Sequence, residues 1–350
     1  MHKDIIRVLV VDDSPFMRIL IKDMLENDRD IKVVAVAKNG KDALQKIKNT
    51  QPDIITLDVE MPIMDGLECL QHIMKHNPLP VIMLSSFTKE GAEITLKALE
   101  LGALDFVTKP GNFLQKDTFD FKTELINKVK LLAGKKVGRL HQPETEIQSF
   151  KNINMGSKRL STVVAIGAST GGPKALKEIL TQIPGDIPAT FVIVQHMPPG
   201  FTRSLAERMN NLSKIKVKEG EEGDELKEGT AFIAPGGYHI TVENARDRYV
   251  LHLNKGPLRN GHRPSVDVMM ESFENIKDKK FIGIILTGMG SDGAEGIRII
   301  KQQQGVVIAQ SEETCVVYGM PKAAVETGLV DWVLPLEDIS KKIVSLVVRE

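Results

Sequence analysis

The sequence predicts an α/β protein built from two doubly wound domains and a linker, and three observations carry that prediction. Short, nearly unbroken apolar runs alternate with helix-period segments along most of the chain, the pattern of parallel sheets covered on both faces. The alternation decays once, from Gly134 to Lys158, where apolar residues are few and no period persists. The length of 350 residues exceeds that of an average single domain.

Within residues 1–130 the strand candidates, in order, are IIRVLVV, IKVVAVA, DIITLD, PVIMLSS and ALDFVTK. Helix-period segments fall between and after them, near residues 16–26, 40–49, 66–76, 89–100 and 119–132. Five strands alternating with five helices define the first domain, residues 1–130. Residues 131–158 form the linker, with a helical turn expected around Glu144–Phe150. The second domain, residues 159–350, has strands near 162–167, 189–195, 229–234, 281–286, 305–309 and 330–334. Residues 238–257 read as a β-hairpin, because two alternating runs flank a polar turn.

Charge excludes one class of partner. Forty-six basic residues balance 46 acidic ones. Residues 1–130 carry 18 Lys/Arg against 20 Asp/Glu, residues 131–160 carry 6 against 2, and residues 161–350 carry 22 against 24. No domain has the basic excess of a nucleic-acid binder. The two cysteines, Cys69 and Cys315, lie in no CxxC or His spacing, which argues for free thiols in a reducing compartment. The first residues, MHKDIIRVLVVDDS, are broken by Arg7 and read as neither a signal peptide nor a membrane span. A cytoplasmic protein with no direct membrane insertion is expected.

The first domain gathers oxygen ligands on one sheet edge. Asp12 and Asp13 follow the first strand, Asp58 ends the third, Ser85 the fourth and Lys109 the fifth. Clustered carboxylates need a cation, and hard oxygens suit Mg²⁺. With the metal in place, Asp58 can attack a phosphoryl group while Lys109 and Ser85 steady the transferred oxygens. Taken singly, each residue reads as a cap or a turn; the ordered set is what carries the chemistry. On these residues, about 4–130 resemble the receiver domain of two-component response regulators. The resemblance implies a flavodoxin-like (βα)₅ fold, Mg²⁺ held by Asp12, Asp13 and Asp58, and phosphorylation of Asp58 by a histidine kinase. It also implies that Ser85 and Phe106 relay the event to a neighbouring face; on composition alone, Phe106 is core.

In the second domain three strand exits carry groups fit for acyl transfer: Ser169 in GASTGGP, His196 in QHMPPG and Asp292 in TGMGSDG. Parallel strands would bring all three to one carboxyl edge, as nucleophile, base and orienting acid. The serine loop alone fits a phosphate cradle equally well, although it lacks the Lys of a P-loop and the spacing of a dinucleotide fingerprint. His196 and Asp292 tip the reading towards a hydrolase. Their chain order, and a serine outside any GxSxG box, exclude the α/β-hydrolase superfamily.

The motifs GASTGGP, QHMPPGF, HRPSVDVMM and LTGMGSDGAEG resemble the catalytic domain of the chemotaxis protein-glutamate methylesterases. With a receiver in front, the whole chain except the linker is similar to the chemotaxis response-regulator methylesterases (CheB). The resemblance implies Ser169 as nucleophile, His196 as general base and acid, and Asp292 as the group orienting it. Thr170 is then an auxiliary residue and the Met289 N–H an oxyanion donor. The implied substrates are glutamyl γ-methyl esters on the cytoplasmic helices of chemoreceptors, with methanol released, and glutamine deamidation is implied as a second activity. No cofactor is expected for the ester reaction. Residues 257–268, with His262 and Arg263, read as a rim loop able to contact an acidic helix. The long linker suggests that the receiver covers the Ser169 edge until Asp58 is phosphorylated. Competing readings are a DNA-binding regulator, which would need a basic recognition face, a phospho-regulated binding module whose loop holds an anion, and a hydrolase of another protein ester.

Overall fold

The structure, a computed structural model, describes residues 5–111, 115–135, 137, 162–245, 248–276 and 278–348. The expected helical turn near 144–150 lies outside these residues. The chain divides into two compact units, Met1–Thr145 and Glu146–Glu350.

The first unit holds five parallel strands: β1 (Ile6–Val11), β2 (Ile31–Ala37), β3 (Ile54–Asp58), β4 (Val81–Ser85) and β5 (Asp105–Thr108). Their spatial order is β2-β1-β3-β4-β5. Five helices alternate with them: α1 (Pro15–Glu26), α2 (Gly40–Thr50), α3 (Gly66–His76), α4 (Lys89–Glu100) and α5 (Gln115–Leu132). Every residue of β3 and β4 is buried, as two covered faces require. Four helices start where a side chain accepts a backbone N–H: Ser14 for α1, Asn39 for α2, Asp65 for α3 and Thr88 for α4. The strand order reverses between β1 and β3, so their carboxyl ends flank the crevice where such sheets bind ligands.

Gly66 shows how tightly the β3–α3 turn closes on that crevice. A Cβ at residue 66 would lie 2.0 Å from the Asp58 carbonyl oxygen, which is backbone and has no room to yield. Gly66→Ala is therefore expected to destabilise this unit by about 1–3 kcal/mol. A fall in the urea midpoint of its unfolding would register the loss; an unchanged midpoint would show that the turn relaxes freely.

The second unit contains a seven-stranded sheet in the order β14-β13-β12-β6-β7-β9-β8. Its strands are β6 (Thr162–Ala168), β7 (Ala189–Gln195), β8 (Lys216–Glu219), β9 (Thr230–Ile233), β12 (Lys280–Ile285), β13 (Val306–Gln310) and β14 (Trp332–Leu334). All of its pairings are parallel. The expected hairpin is β10 (His239–Ala245) with β11 (Arg248–Asn254), paired antiparallel. Its Ile240, Val242 and Leu251 join a buried cluster with Met269, Met270 and Phe273. The helices are α6 (Gly172–Leu180), α7 (Phe201–Leu212), α8 (Val266–Glu271), α9 (Gly296–Gln302), α10 (Met320–Glu326) and α11 (Leu336–Val348).

The sequence reading has no counterpart for β8. That strand is a four-residue edge, KVKE, whose charged residues blunt an exposed rim and hide its period. Strand order here reverses between β6 and β12, so the second crevice opens where the Ser169 and Asp292 exits lie. The helices leaving β6 and β7 differ from those of the first unit. Both α6 and α7 follow a left-handed-φ glycine, Gly171 (φ 80°) and Gly200 (φ 84°), with no side-chain cap. In α6 the first N–H, that of Gly172, turns back to the Ser169 carbonyl (2.7 Å) and closes the serine turn.

Candidate functional site

At the first crevice, Asp12, Asp13 and Asp58 bring carboxylate oxygens within 4.8 Å of one another. Asp12 and Asp58 are buried, while Asp13 is exposed. Lys109 reaches in from the end of β5, with Nζ 2.8 Å from Asp12 Oδ2 and 2.7 Å from Asp58 Oδ1. Burial pushes the Asp58 carboxyl up to about 6; Lys109 opposes that rise, and the charges of Asp12 and Asp13 add to it. Burial would lower Lys109, yet Asp58 and Asp12 outweigh it and hold the ammonium above its ordinary range. Three carboxylates facing one ammonium leave negative charge in excess. That donor set fits a hard divalent cation such as Mg²⁺.

The two relay candidates are each engaged with a helix. The Ser85 hydroxyl donates to the Gly91 carbonyl (3.2 Å) and accepts from Thr95 Oγ1 (2.7 Å), both on α4. Phe106 is buried, with Lys128 of α5 placed 5.4 Å from its ring centroid. The same ammonium donates to the Phe106 carbonyl and pairs with Asp105 and Glu124.

At the second crevice, the β6–β7 ladder pairs Ala168 with Gln195, so Ser169 and His196 are the next residues on adjacent strands. The ladder's last backbone bond runs from His196 N–H to the Ala168 carbonyl (3.0 Å). On the other flank Ser169 N–H donates to the Thr287 carbonyl (3.0 Å), at the exit of β12. Asp292 follows five residues later, and its Oδ2 lies 2.8 Å from His196 Nε2. The structure therefore brings the three expected residues to one rim.

The imidazole orientation is specific. Nε2 faces the carboxylate, and Nδ1 is buried without a hydrogen-bond partner, which leaves Nδ1 as the nitrogen available for a hydroxyl proton. Asp292 is nearly fully buried and accepts four bonds. They come from His196, the Val266 N–H (2.7 Å), the Ser265 hydroxyl (2.8 Å) and the Asp267 N–H (3.1 Å). Burial would raise its pKa, but the His196 bond and these amides outweigh it and hold the carboxyl well below the usual range.

Asp267, buried on α8, braces the same turn. Its Oδ1 accepts the N–H groups of Gly293, Glu295 and Gly296, and its Oδ2 accepts Asn260. Burial, with the adjacent Asp292 charge, pushes Asp267 up to about 6 against those amides. Sequence reasoning missed Asp267, Ser265 and Gln195 as site residues. The only signal was their presence in the HRPSVDVMM and QHMPPG motifs.

His262 stacks on His196, with ring centroids 3.9 Å apart and planes 10° from parallel, so it fixes the imidazole plane from one face. Arg263 spends Nη1 on the carbonyls of Lys255 (3.1 Å) and Gly256 (2.8 Å), bracing the rim loop. Met289 is 42 % exposed at the β12 exit, and among the described residues no carbonyl accepts its N–H. Thr170 is buried, and its carbonyl accepts from Thr287 Oγ1 (2.9 Å).

Comparison with known proteins agrees with both halves. Residues 8–115 match the response regulator receiver domain, and residues 164–343 match the CheB methylesterase family. The protein-glutamate methylesterase/protein-glutamine glutaminase of Halalkalibacterium halodurans is 50 % identical over 339 residues, covering 97 % of each chain. The protein of the same description from Oceanobacillus iheyensis is 48 % identical over 346 residues, covering 97 % of this chain and 98 % of that one. The crystal structure of the Thermotoga maritima CheB methylesterase catalytic domain aligns with a TM-score of 0.52 at 45 % identity, over 53 % of this chain and 99 % of that one. Among the described residues no helix is long and apolar enough to cross a membrane. With half of its length inside one family's match and near-full-length relatives at such identity, the chain belongs to the CheB methylesterase family and carries a response regulator receiver domain at its N-terminal end.

Proposed function

We propose that this enzyme is a phosphorylation-regulated serine hydrolase acting on glutamyl γ-methyl esters of chemoreceptor cytoplasmic helices in the cytoplasm, with methanol as product. The observation that carries the reading is the His196 Nε2–Asp292 contact of 2.8 Å beside Ser169, with Nδ1 left free. In the reaction His196 Nδ1 takes the Ser169 proton as the hydroxyl oxygen attacks the ester carbonyl. Asp292 keeps the other proton on Nε2 and stabilises the imidazolium that forms. The Met289 N–H, which no carbonyl among the described residues accepts, is the donor proposed for the developing oxyanion, with Thr170 as an auxiliary. His196 returns its proton to the leaving methoxide, and water then cleaves the acyl-enzyme by the same route in reverse. A glutamine side chain enters the same sequence with ammonia as the leaving group, the slower case because an amine departs less readily. His262 and Arg263 border the surface that an acidic receptor helix would meet.

Control rests on the first crevice. Mg²⁺ held by Asp12, Asp13 and Asp58 would neutralise phosphoryl charge, and Asp58 accepts the phosphoryl group from a chemotaxis histidine kinase. Lys109, already paired with Asp58, then holds the new anion. The organisation proposed is a receiver over 1–130, a linker over 131–158 and a catalytic domain over 159–350. Phosphorylation of Asp58 is proposed to raise the activity of the catalytic domain.

The test is methanol release from methylated receptor membranes, together with labelling by an active-site-directed phosphonate. Ser169→Ala is expected to lower release by at least about 10⁴-fold and to abolish labelling. Labelling that persists in the variant would assign the nucleophile to another residue.

A further inference from the structure

Gln195 ends β7 one residue before His196 and is almost fully buried. Its amide nitrogen lies 3.0 Å from the Ser169 carbonyl oxygen and 3.3 Å from the His196 carbonyl oxygen. One NH₂ group thus bonds to the main chain of both the residue that attacks and the residue that takes its proton. It does so where the backbone can no longer link them. The β6–β7 ladder stops at the His196 N–H to Ala168 bond, after which one chain turns into α6 and the other into the Pro198–Pro199 loop. Gln195 adds one further bond across that gap, to the Ser169 carbonyl, while its second bond, to the His196 carbonyl, ties the amide to its own strand exit.

The rest of the amide makes the residue hard to explain by stability. Its carbonyl oxygen is buried without a hydrogen-bond partner. Two neutral donated bonds gain modestly, and a desolvated, unpaired carbonyl offsets part of that gain, so the amide contributes little net stability. The surroundings are nevertheless shaped to admit this amide. A Cβ at residue 172 would stand 1.9 Å from that oxygen, so the glycine at the start of α6 makes room for it. The opposite flank of the serine turn is held separately, by Ser169 N–H to Thr287 O and by Thr287 Oγ1 to Thr170 O. Gln195 is therefore placed to set the distance between Ser169 and His196, while Thr287 sets the turn against β12.

We propose that Gln195 is a positioning residue for ester hydrolysis, fixing the separation of Ser169 and His196 through its two donated bonds. The inference rests on the serine-hydrolase reading above. The nucleophile and its base must meet within a fraction of an ångström, and misplacement by about 1 Å costs on the order of 100-fold in rate.

The experiment compares the full-length wild type with Gln195→Met and Gln195→Glu, measuring kcat and KM for methanol release from methylated receptor membranes alongside thermal midpoints. Gln195→Met is expected to melt within a few degrees of the wild-type midpoint and stay folded at the assay temperature, to lose about 100-fold in kcat and to keep KM within about twofold. Gln195→Glu cannot donate while ionised. Its rate relative to wild type at the same pH should recover towards acid, as the carboxyl gains a proton to donate. A Met variant with full kcat overturns the inference. So does a loss of activity that tracks the unfolded fraction, or a Glu variant without acid-side recovery. A wild type that releases no methanol and resists the phosphonate would instead sink the hydrolase reading itself.

Discussion

Asp292→Asn is expected to lower kcat for ester hydrolysis by about 10⁴-fold, the scale on which a triad histidine loses its working tautomer. The carboxylate accepts from Nε2–H and so leaves Nδ1 unprotonated. An asparagine amide can instead donate to Nε2, which puts the ring proton on Nδ1, where it faces the hydroxyl it should receive from. The substitution also turns an NH₂ group towards donors that Asp292 satisfies, those of Ser265, Val266 and Asp267. A cost of about 3–5 kcal/mol in stability should accompany the rate loss. Linkage supplies the sign for pH. Because the folded pKa of Asp292 is depressed from 3.8, its stabilisation is present above that value and is lost as pH falls through the lower folded pKa. Asp292→Asn should flatten this acid limb of the unfolding curve. Turnover corrected for folded fraction separates the two effects, and a corrected kcat within tenfold of wild type would show that His196 works without the carboxylate.

Asp58→Asn is expected to abolish phosphoryl incorporation from a small phosphoramidate in the presence of Mg²⁺, and with it any stimulation of methanol release. The amide removes the attacking oxygen anion and one of the three clustered carboxylates, and it leaves Lys109 paired with Asp12 alone. Hydroxylamine-labile phosphate bound per chain is the measurement. Incorporation at the wild-type level would move the acceptor to another residue.

Much of this architecture was legible before any coordinates, for identifiable reasons. The first unit reads well because buried parallel strands leave continuous apolar runs and because Ser14, Asn39, Asp65 and Thr88 mark helix starts in local sequence. Ser169, His196 and Asp292 could be named because each stands at a strand exit punctuated by glycine or proline. What stayed hidden is tertiary. The β8 edge carries no apolar pattern. The stacking of His262 on His196 depends on a loop returning across the sheet, and the choice of Nε2 over Nδ1 for Asp292 depends on a side-chain rotation. Asp267 and Gln195 resemble an ordinary helix-start carboxylate and an ordinary strand-end amide; only their partners reveal them.

The bare starts of α6 and α7 set a boundary on how far this protein can be hardened against heat. In most helices a serine or aspartate at the first position is a safe way to raise the melting point. Here both cap positions hold glycine at left-handed φ, which an L side chain adopts only under strain, and at Gly171 a Cβ would also collide with Val316. The backbone of these two turns excludes that remedy, so a thermostable relative must find its extra margin elsewhere in the fold.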